Sequence, residues 1–61
     1  MSDLFPVTVE DMLAECEREI ALRRRVYPRW IETGRISQQK ADRQIEVLKA
    51  LVMHLRLEMA E

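Results

Sequence analysis

A basic and aromatic segment, residues 23–43, holds the side chains in this 61-residue chain that are best suited to bind a ligand. It contains seven of the ten basic residues against two acidic ones, a local charge of +5 in a chain whose net charge is -1. The chain's only tyrosine, Tyr27, and its only tryptophan, Trp30, lie among these basic residues. Because guanidinium groups bind phosphate and aromatic rings stack on flat ligands, the composition indicates a site for a nucleotide-like anion.

Arg23 is the most unusual member of this segment, because it projects at nearly the same helical angle as Tyr27 and Trp30, on an otherwise apolar face. A guanidinium there needs a negative partner. Glu19 or Glu46 could provide it from within the chain, and a bound anion could provide it from outside. In the second alternative, the free N–H groups at the start of a following helix would help to bind the anion. The predicted ligand-binding residues are then Arg23, Arg24, Tyr27, Trp30, Arg35, Lys40 and Arg43.

A structural role for the same two rings stays open beside the binding role. Tyr27 and Trp30 could close the end of a helical hairpin, with the aliphatic stems of neighbouring arginines covering them. In that case the segment is part of the fold and binds no ligand.

Catalysis and metal binding have little support in the sequence. Nucleophilic catalysis would need Cys16, or a hydroxyl group beside His54, together with an orienting acid, but Cys16 lies within an apolar stripe and is most simply a small core residue. His54 is the only histidine. Neither paired acids at metal-ligand spacing nor a glycine loop for phosphate accompanies it. We expect no enzyme activity, no metal and no cofactor.

A first helix is expected over residues 8–33, with Thr8 as its N-cap and Asp11 completing a capping box. Pro28 lacks an N–H group and disrupts the turn before it, but the apolar stripe keeps its phase beyond this residue. The sequence therefore predicts a helix that is kinked near Pro28 and capped at its C-terminus by Gly34. The predicted core face consists of Val9, Met12, Leu13, Cys16, Ile20, Tyr27, Trp30 and Ile31.

A second helix is expected over residues 37–60, with Ser37 as its N-cap. Its apolar residues alternate at spacings of four and three, as in coiled coils; they are Ala41, Ile45, Leu48, Val52, Leu55 and Met59. Because the connection between the helices is short, they should pack antiparallel. The prediction is an all-α fold, one helical-hairpin domain over residues 1–61 with an extended arm at residues 1–7.

Self-association is expected because a chain this short rarely stabilises itself with its own core. Cys16 is the only cysteine, so an internal disulfide is excluded. The second helix also carries more apolar surface than one partner helix can cover. We predict a homo-oligomeric helical bundle whose interface includes Val47, Leu51, Met53, His54 and Leu57.

The N-terminal residues predict a cytoplasmic protein, because "MSDLFPVTVED" has neither a basic n-region nor a long apolar run. Such a segment is not typical of a signal peptide or of a membrane anchor.

The stretch "REIALRRRVYPRWIETGRISQQKADRQIEVLKAL", residues 18–51, resembles a group of small proteins encoded by tailed bacteriophages and prophages. In that group a Tyr-Pro-(Arg or Lys)-Trp turn is followed by Gly-Arg, then by Lys-Ala-Asp and an apolar helix. Here the corresponding elements are "YPRW", "GRIS" and "KADRQI". The resemblance implies a phage or prophage origin and a place in the cytoplasm of a bacterial host. It assigns no role to any residue.

Three functions fit these observations. The first is a phage accessory protein that forms a homo-oligomer and sequesters an anionic nucleotide, for instance a signalling nucleotide of a host defence system. The second is a protein-interaction module that inhibits or adapts a host protein. The third, nucleic-acid binding, is less favoured because the rest of the chain is acidic.

Overall fold

The computed structural model describes residues 6–60, which form two α-helices, α1 (Val9–Glu32) and α2 (Gln38–Ala60). Two contacts between them fix their orientation: Tyr27 bonds to Gln44 near the connection, and Glu17 pairs with Arg56 far from it. The helices are therefore antiparallel, and the predicted all-α hairpin is confirmed, with no strand in the part of the chain described. Of the predicted arm, residues 1–5 lie outside this part, while Pro6 and Val7 are non-helical.

Both helices begin at the predicted caps. At α1 the Thr8 N–H donates to Asp11 Oδ2 at 3.1 Å, and the Asp11 N–H donates to Thr8 Oγ1 at 3.0 Å. This reciprocal capping box satisfies two N–H groups that the first turn leaves free. At α2 the Lys40 N–H donates to Ser37 Oγ at 3.1 Å.

The helix α1 continues without interruption through Pro28, as the phase of the apolar stripe predicted. Since proline has no N–H group, the Arg24 carbonyl loses its usual helical donor. Pro28 is exposed, so solvent can reach this part of the backbone. The bend expected at Pro28 stays a prediction.

A Schellman motif ends α1. Gly34 has φ +79°, and its N–H donates to the Ile31 carbonyl at 3.1 Å. The Arg35 N–H donates to the Trp30 carbonyl at 2.7 Å, which completes the motif's second bond. Glycine adopts this left-handed conformation without the strain that a Cβ atom introduces. The motif turns the chain back so that α2 can pack against α1.

The interface between the helices buries few side chains. Those that are almost fully buried are Tyr27, Ala41, Val52 and Leu55. Around them lie half-buried residues of the two predicted stripes, namely Val9, Leu13, Cys16, Ile20, Trp30 and Ile31 on α1, with Ile45 and Leu48 on α2.

Two residues assigned to the core by the sequence are exposed instead. Met12 is 43 % exposed and Met59 is 45 % exposed, so their assignment to the helix interface is wrong in this respect. Both lie at the open end of the hairpin. Near this end α2 finishes at Ala60, so Met12 has fewer neighbours from the opposite helix, and Met59 has no following turn of its own helix beside it.

Replacing Gly34 with alanine tests the turn. A Cβ atom at Gly34 would meet nothing within 4 Å, so the cost is conformational and not steric. We expect Gly34→Ala to lower the free energy of unfolding by about 1 kcal/mol, measured by chemical denaturation. Gly34→Asn is the matched control and should lose less, because asparagine tolerates this conformation. Equal losses for the two variants would contradict the assignment of a left-handed conformation to Gly34.

Candidate functional site

Tyr27 is part of the core at the closed end of the hairpin. Its side chain is 6 % exposed, and its hydroxyl donates a hydrogen bond to Gln44 Oε1. Its ring centroid lies 5.7 Å from that of Trp30, with the ring planes tilted by 44°. The Tyr27 ring therefore packs mostly inside the protein and leaves too little exposed surface for a ligand to stack on it.

Arg23 has an internal partner. Its Nη1 forms a hydrogen-bonded ion pair with Glu19 Oε1, one helical turn earlier. This hydrogen bond is the main reason that the pKa of Arg23 is raised; partial desolvation opposes it, and Tyr27 adds a smaller favourable contribution. Of the two carboxylates considered from the sequence, Glu19 is thus the partner, while Glu46 accepts from Lys49 at 3.3 Å.

Trp30 is covered on one side by Arg35. The Arg35 guanidinium carbon lies 4.7 Å from the Trp30 ring centroid, which is a cation–π geometry. The two residues occupy the Schellman positions that are often joined by an apolar contact. Their stacking therefore helps to fix the turn.

The predicted binding residues are divided between two sides of the hairpin. Arg24 lies on the first face, which we define as the side that also carries Pro28 and Lys49. Arg23 and Arg43 lie on the second face, defined as the side that carries Gln44, Val47 and Leu48. Lys40 lies beside Ser37 and Arg43 in a shallow depression at the start of α2. These seven residues do not form a single pocket.

A long groove crosses the first face. It consists of two adjoining depressions of about 720 Å³ and about 480 Å³, which share Arg24 and Lys49. On α1 the groove extends from Glu17 to Ile31, which corresponds to about 21 Å of helix. The two cations Arg24 and Lys49 lie where the depressions meet, and apolar side chains contribute to the lining of both depressions, namely Ile20, Tyr27, Ile31, Ala41, Ile45 and Val52.

The rim of this groove carries charges of both signs. Most are paired or hydrogen-bonded within the chain: Arg56 with Glu17 at 2.6 Å, Lys49 with Glu46 at 3.3 Å, and Asp42 accepts from Gln38 at 2.9 Å. Arg24, at the middle of the groove, forms no ion pair with any residue between 6 and 60.

This groove was not predicted from the sequence. A signal for it is present, because the rim residues on α2 recur every three or four residues and therefore share one side of the helix. That side is formed by Asp42, Glu46, Lys49, Met53 and Arg56.

The closed end of the hairpin concentrates cations that lack a carboxylate partner. Within residues 6–60, ion pairs involve Arg18, Arg23, Lys49 and Arg56. Every other basic side chain in this range lies between residues 24 and 43, namely Arg24, Arg25, Arg29, Arg35, Lys40 and Arg43. The closed end therefore has a positive potential that its own carboxylates do not neutralise.

The residues predicted for the oligomer interface are all exposed, but they do not share one face. Val47 lines the depression on the second face, whereas Met53 lines the groove on the first. Leu51 follows Val47 by one helical turn and lies on the second face with it. His54 follows Leu51 by three residues and therefore also lies on the second face. Leu57 lines neither the groove nor that depression and is 66 % exposed. One flat interface cannot cover all five.

No group of three or more His, Cys, Asp or Glu side chains suitable for a metal ion occurs within residues 6–60. In the same range neither helix combines the length and the apolar character needed to cross a membrane. Comparison with protein-family models, with curated proteins and with solved structures finds no match to this chain.

The bond between Tyr27 and Gln44 can be tested with a double-mutant cycle. Tyr27→Phe leaves the Gln44 carbonyl without its donor, and Gln44→Leu leaves the Tyr27 hydroxyl without its acceptor. Each change should lower the free energy of unfolding by about 1 kcal/mol. The double variant should lose clearly less than the two single losses together, because no unsatisfied group remains. Additive losses in thermal melts would show that the bond does not form.

Proposed function

We propose that this chain is a non-enzymatic, homo-oligomeric binding protein that holds an amphipathic helix of a partner protein in the groove of its first face. The observation that carries the proposal is the groove itself: two adjoining depressions that together extend about 21 Å, with apolar side chains in their lining and charged rims. Protein grooves of this kind bind helices through apolar residues at intervals of three or four.

A helix is the partner element that fits this surface best. Two packed helices leave a long channel between them, and a third helix laid into it would complete a three-helix bundle. Binding by strand addition would require a sheet edge, and residues 6–60 form no strand. The length of the groove corresponds to a partner segment of about 14 residues.

The charges of the rim specify the partner further. Arg24 is the rim cation that forms no ion pair within residues 6–60, and it lies in the middle of the groove opposite Lys49. A partner helix with a carboxylate near the centre of its apolar stripe would neutralise Arg24. The resemblance to phage and prophage proteins supports a bacterial host protein in the cytoplasm as the source of this helix.

Charge reversal at Arg24 tests the proposal. A photo-crosslinking amino acid at Met53, inside the groove, should capture a host protein that the same residue at the outward-facing Leu57 does not capture. Once that protein is purified, Arg24→Glu should weaken its binding at least tenfold, measured by calorimetric titration. Arg25→Glu is the control with the same charge change one residue away, outside the groove, and should bind as the wild type does.

Two results would contradict groove binding. One is equal capture from Met53 and Leu57. The other is an equal effect of the Arg24 and Arg25 reversals, which would mean that only the overall charge matters.

A second candidate function is the sequestration of an anionic, nucleotide-like ligand by the closed end. The specific observation in its favour is the group of cations there without carboxylate partners, including Lys40 and Arg43 beside the N-terminus of α2. Free N–H groups at a helix start favour phosphate. Trp30, with Arg35 stacked on it, is the ring available to a base. Binding of nucleic acid uses the same chemistry and is less favoured by the acidic remainder of the chain.

Titration with linear and cyclic nucleotides and with inorganic phosphate tests this candidate. If it is correct, Lys40→Ala with Arg43→Ala should abolish the heat of binding, whereas Lys49→Ala should not. Trp30→Leu should weaken a nucleotide by about 1 to 3 kcal/mol if a base stacks on the ring and leave phosphate unaffected. An absence of heat with every compound would exclude nucleotide sequestration.

A further inference from the structure

The second face carries an apolar patch that the hairpin does not cover. It consists of Leu22 and Val26 on α1 with Val47 and Leu51 on α2. The exposed fractions of Leu22, Val47 and Leu51 are 44 %, 52 % and 42 %, and Val26 is half-buried. On each helix the two residues are four apart and therefore share one side.

Register between the helices brings the four residues together. Glu17 pairs with Arg56, and Leu22 lies five residues after Glu17 while Leu51 lies five before Arg56. Leu22 and Leu51 are thus at the same level of the hairpin, about halfway along its length. By the same register Val26 and Val47 are level with each other, one turn closer to the connection.

The elongated hairpin exposes enough surface for a stable interface with another chain. The radius of gyration is 14.3 Å, against about 10.5 Å for a compact chain of this length. The accessible surface is 5191 Å², against roughly 4,200 Å² for a compact monomer. The difference of about 1,000 Å² exceeds the ~800 Å² per partner that a stable protein interface buries.

Charges at the two ends of the second face are complementary to each other. Arg29 lies seven residues after Leu22, and Glu15 lies seven residues before it, so they flank the patch on opposite sides. Each is about 10 Å along α1 from the level of Leu22. Arg29 forms no ion pair within residues 6–60, and Glu15 pairs within this range only with the exposed Arg18 of its own helix. A copy rotated by half a turn about this level would lay its α1 against α1 and bring Arg29 next to the other copy's Glu15.

We propose that the occupant of the second face is a second copy of this chain, packed antiparallel, with the two-fold axis at the level of Leu22 and Leu51. The product is a four-helix bundle in which the basic closed end of each copy adjoins the acidic open end of the other. A parallel pair would place the two basic ends side by side, where like charges repel.

The ion pair between Arg23 and Glu19 gains a role in this arrangement. Its side chains are 33 % and 35 % exposed, and Arg23 lines the second face beside Val47. Contact with a second copy would bury the pair while both charges remain neutralised. Buried polar groups of this type favour one register over others.

This inference deepens the homo-oligomeric part of the proposed function and leaves the first-face grooves open, one on each copy. Sedimentation equilibrium tests it, with wild-type protein expected to be a dimer. Leu51→Glu should yield a monomer, while Leu57→Glu, the same change on an exposed residue outside the patch, should remain dimeric. A wild-type monomer at micromolar concentration, or equal effects of the two variants, would overturn the proposal. The test of partner binding through Arg24 is independent of this test of dimerisation, because Arg24 lies on the other face.

Two further measurements apply even if Leu51→Glu does not fold. Arg29→Glu and Glu15→Arg should each weaken the dimer about tenfold, and their combination should restore it. Spin labels at Arg35→Cys, in a Cys16→Ala background, should lie about 40 Å apart in the antiparallel dimer. A separation of about 20 Å or less would indicate a parallel dimer, and failure of the charge swap to restore dimerisation would exclude the proposed pairing.

Discussion

A two-helix hairpin has only one internal interface, and the rest of this structure depends on that limit. Within residues 6–60 only four side chains are almost fully buried in it, so hydrophobic burial alone cannot fix the arrangement of the helices. Specific local interactions at the closed end do much to define how the two helices pack. The Schellman turn at Gly34, the stacking of Arg35 on Trp30 and the bond from Tyr27 to Gln44 all act within a short distance of each other. Together they set the register that extends to the pair between Glu17 and Arg56.

The presence of a single interface also explains why the two sides of the hairpin can differ in chemistry. A single interface leaves two long surfaces, and in this chain they differ chemically. The first face is a groove with apolar side chains in its lining and charged rims. The second is a more apolar patch whose ends carry opposite charges. Under our proposals the first face binds a partner helix and the second binds another copy, so that both unpartnered surfaces become buried by different partners.

Much of the fold was predictable because its signals are local. Helical periodicity identifies both helices, the hydroxyls of Thr8 and Ser37 identify where they begin, and Gly34 identifies where α1 ends. Continuity through Pro28 followed from the phase of the apolar stripe. The exposure of Met12 and Met59 did not follow, because periodicity gives the direction of a side chain but not how much it is covered near the end of a hairpin.

The candidate site was less predictable because it depends on how the two helices sit against each other. Arg23 and Arg24 are adjacent in sequence, but a rotation of 100° between them places α2 in the gap and sends them to different faces. The hydrogen bond of Tyr27 similarly depends on the register that brings Gln44 opposite it. The sequence did indicate that Arg23 needs a negative partner. The structure shows that this partner is the internal carboxylate of Glu19.

Thermal unfolding followed at several protein concentrations tests most directly whether this hairpin depends on a partner for its stability. If a second copy covers the patch around Leu22 and Leu51, the midpoint temperature should rise steadily over a roughly hundredfold increase in concentration, because folding is linked to association. A midpoint that is independent of concentration, from a cooperatively folded protein, would show that the single interface between α1 and α2 is sufficient and would contradict the account.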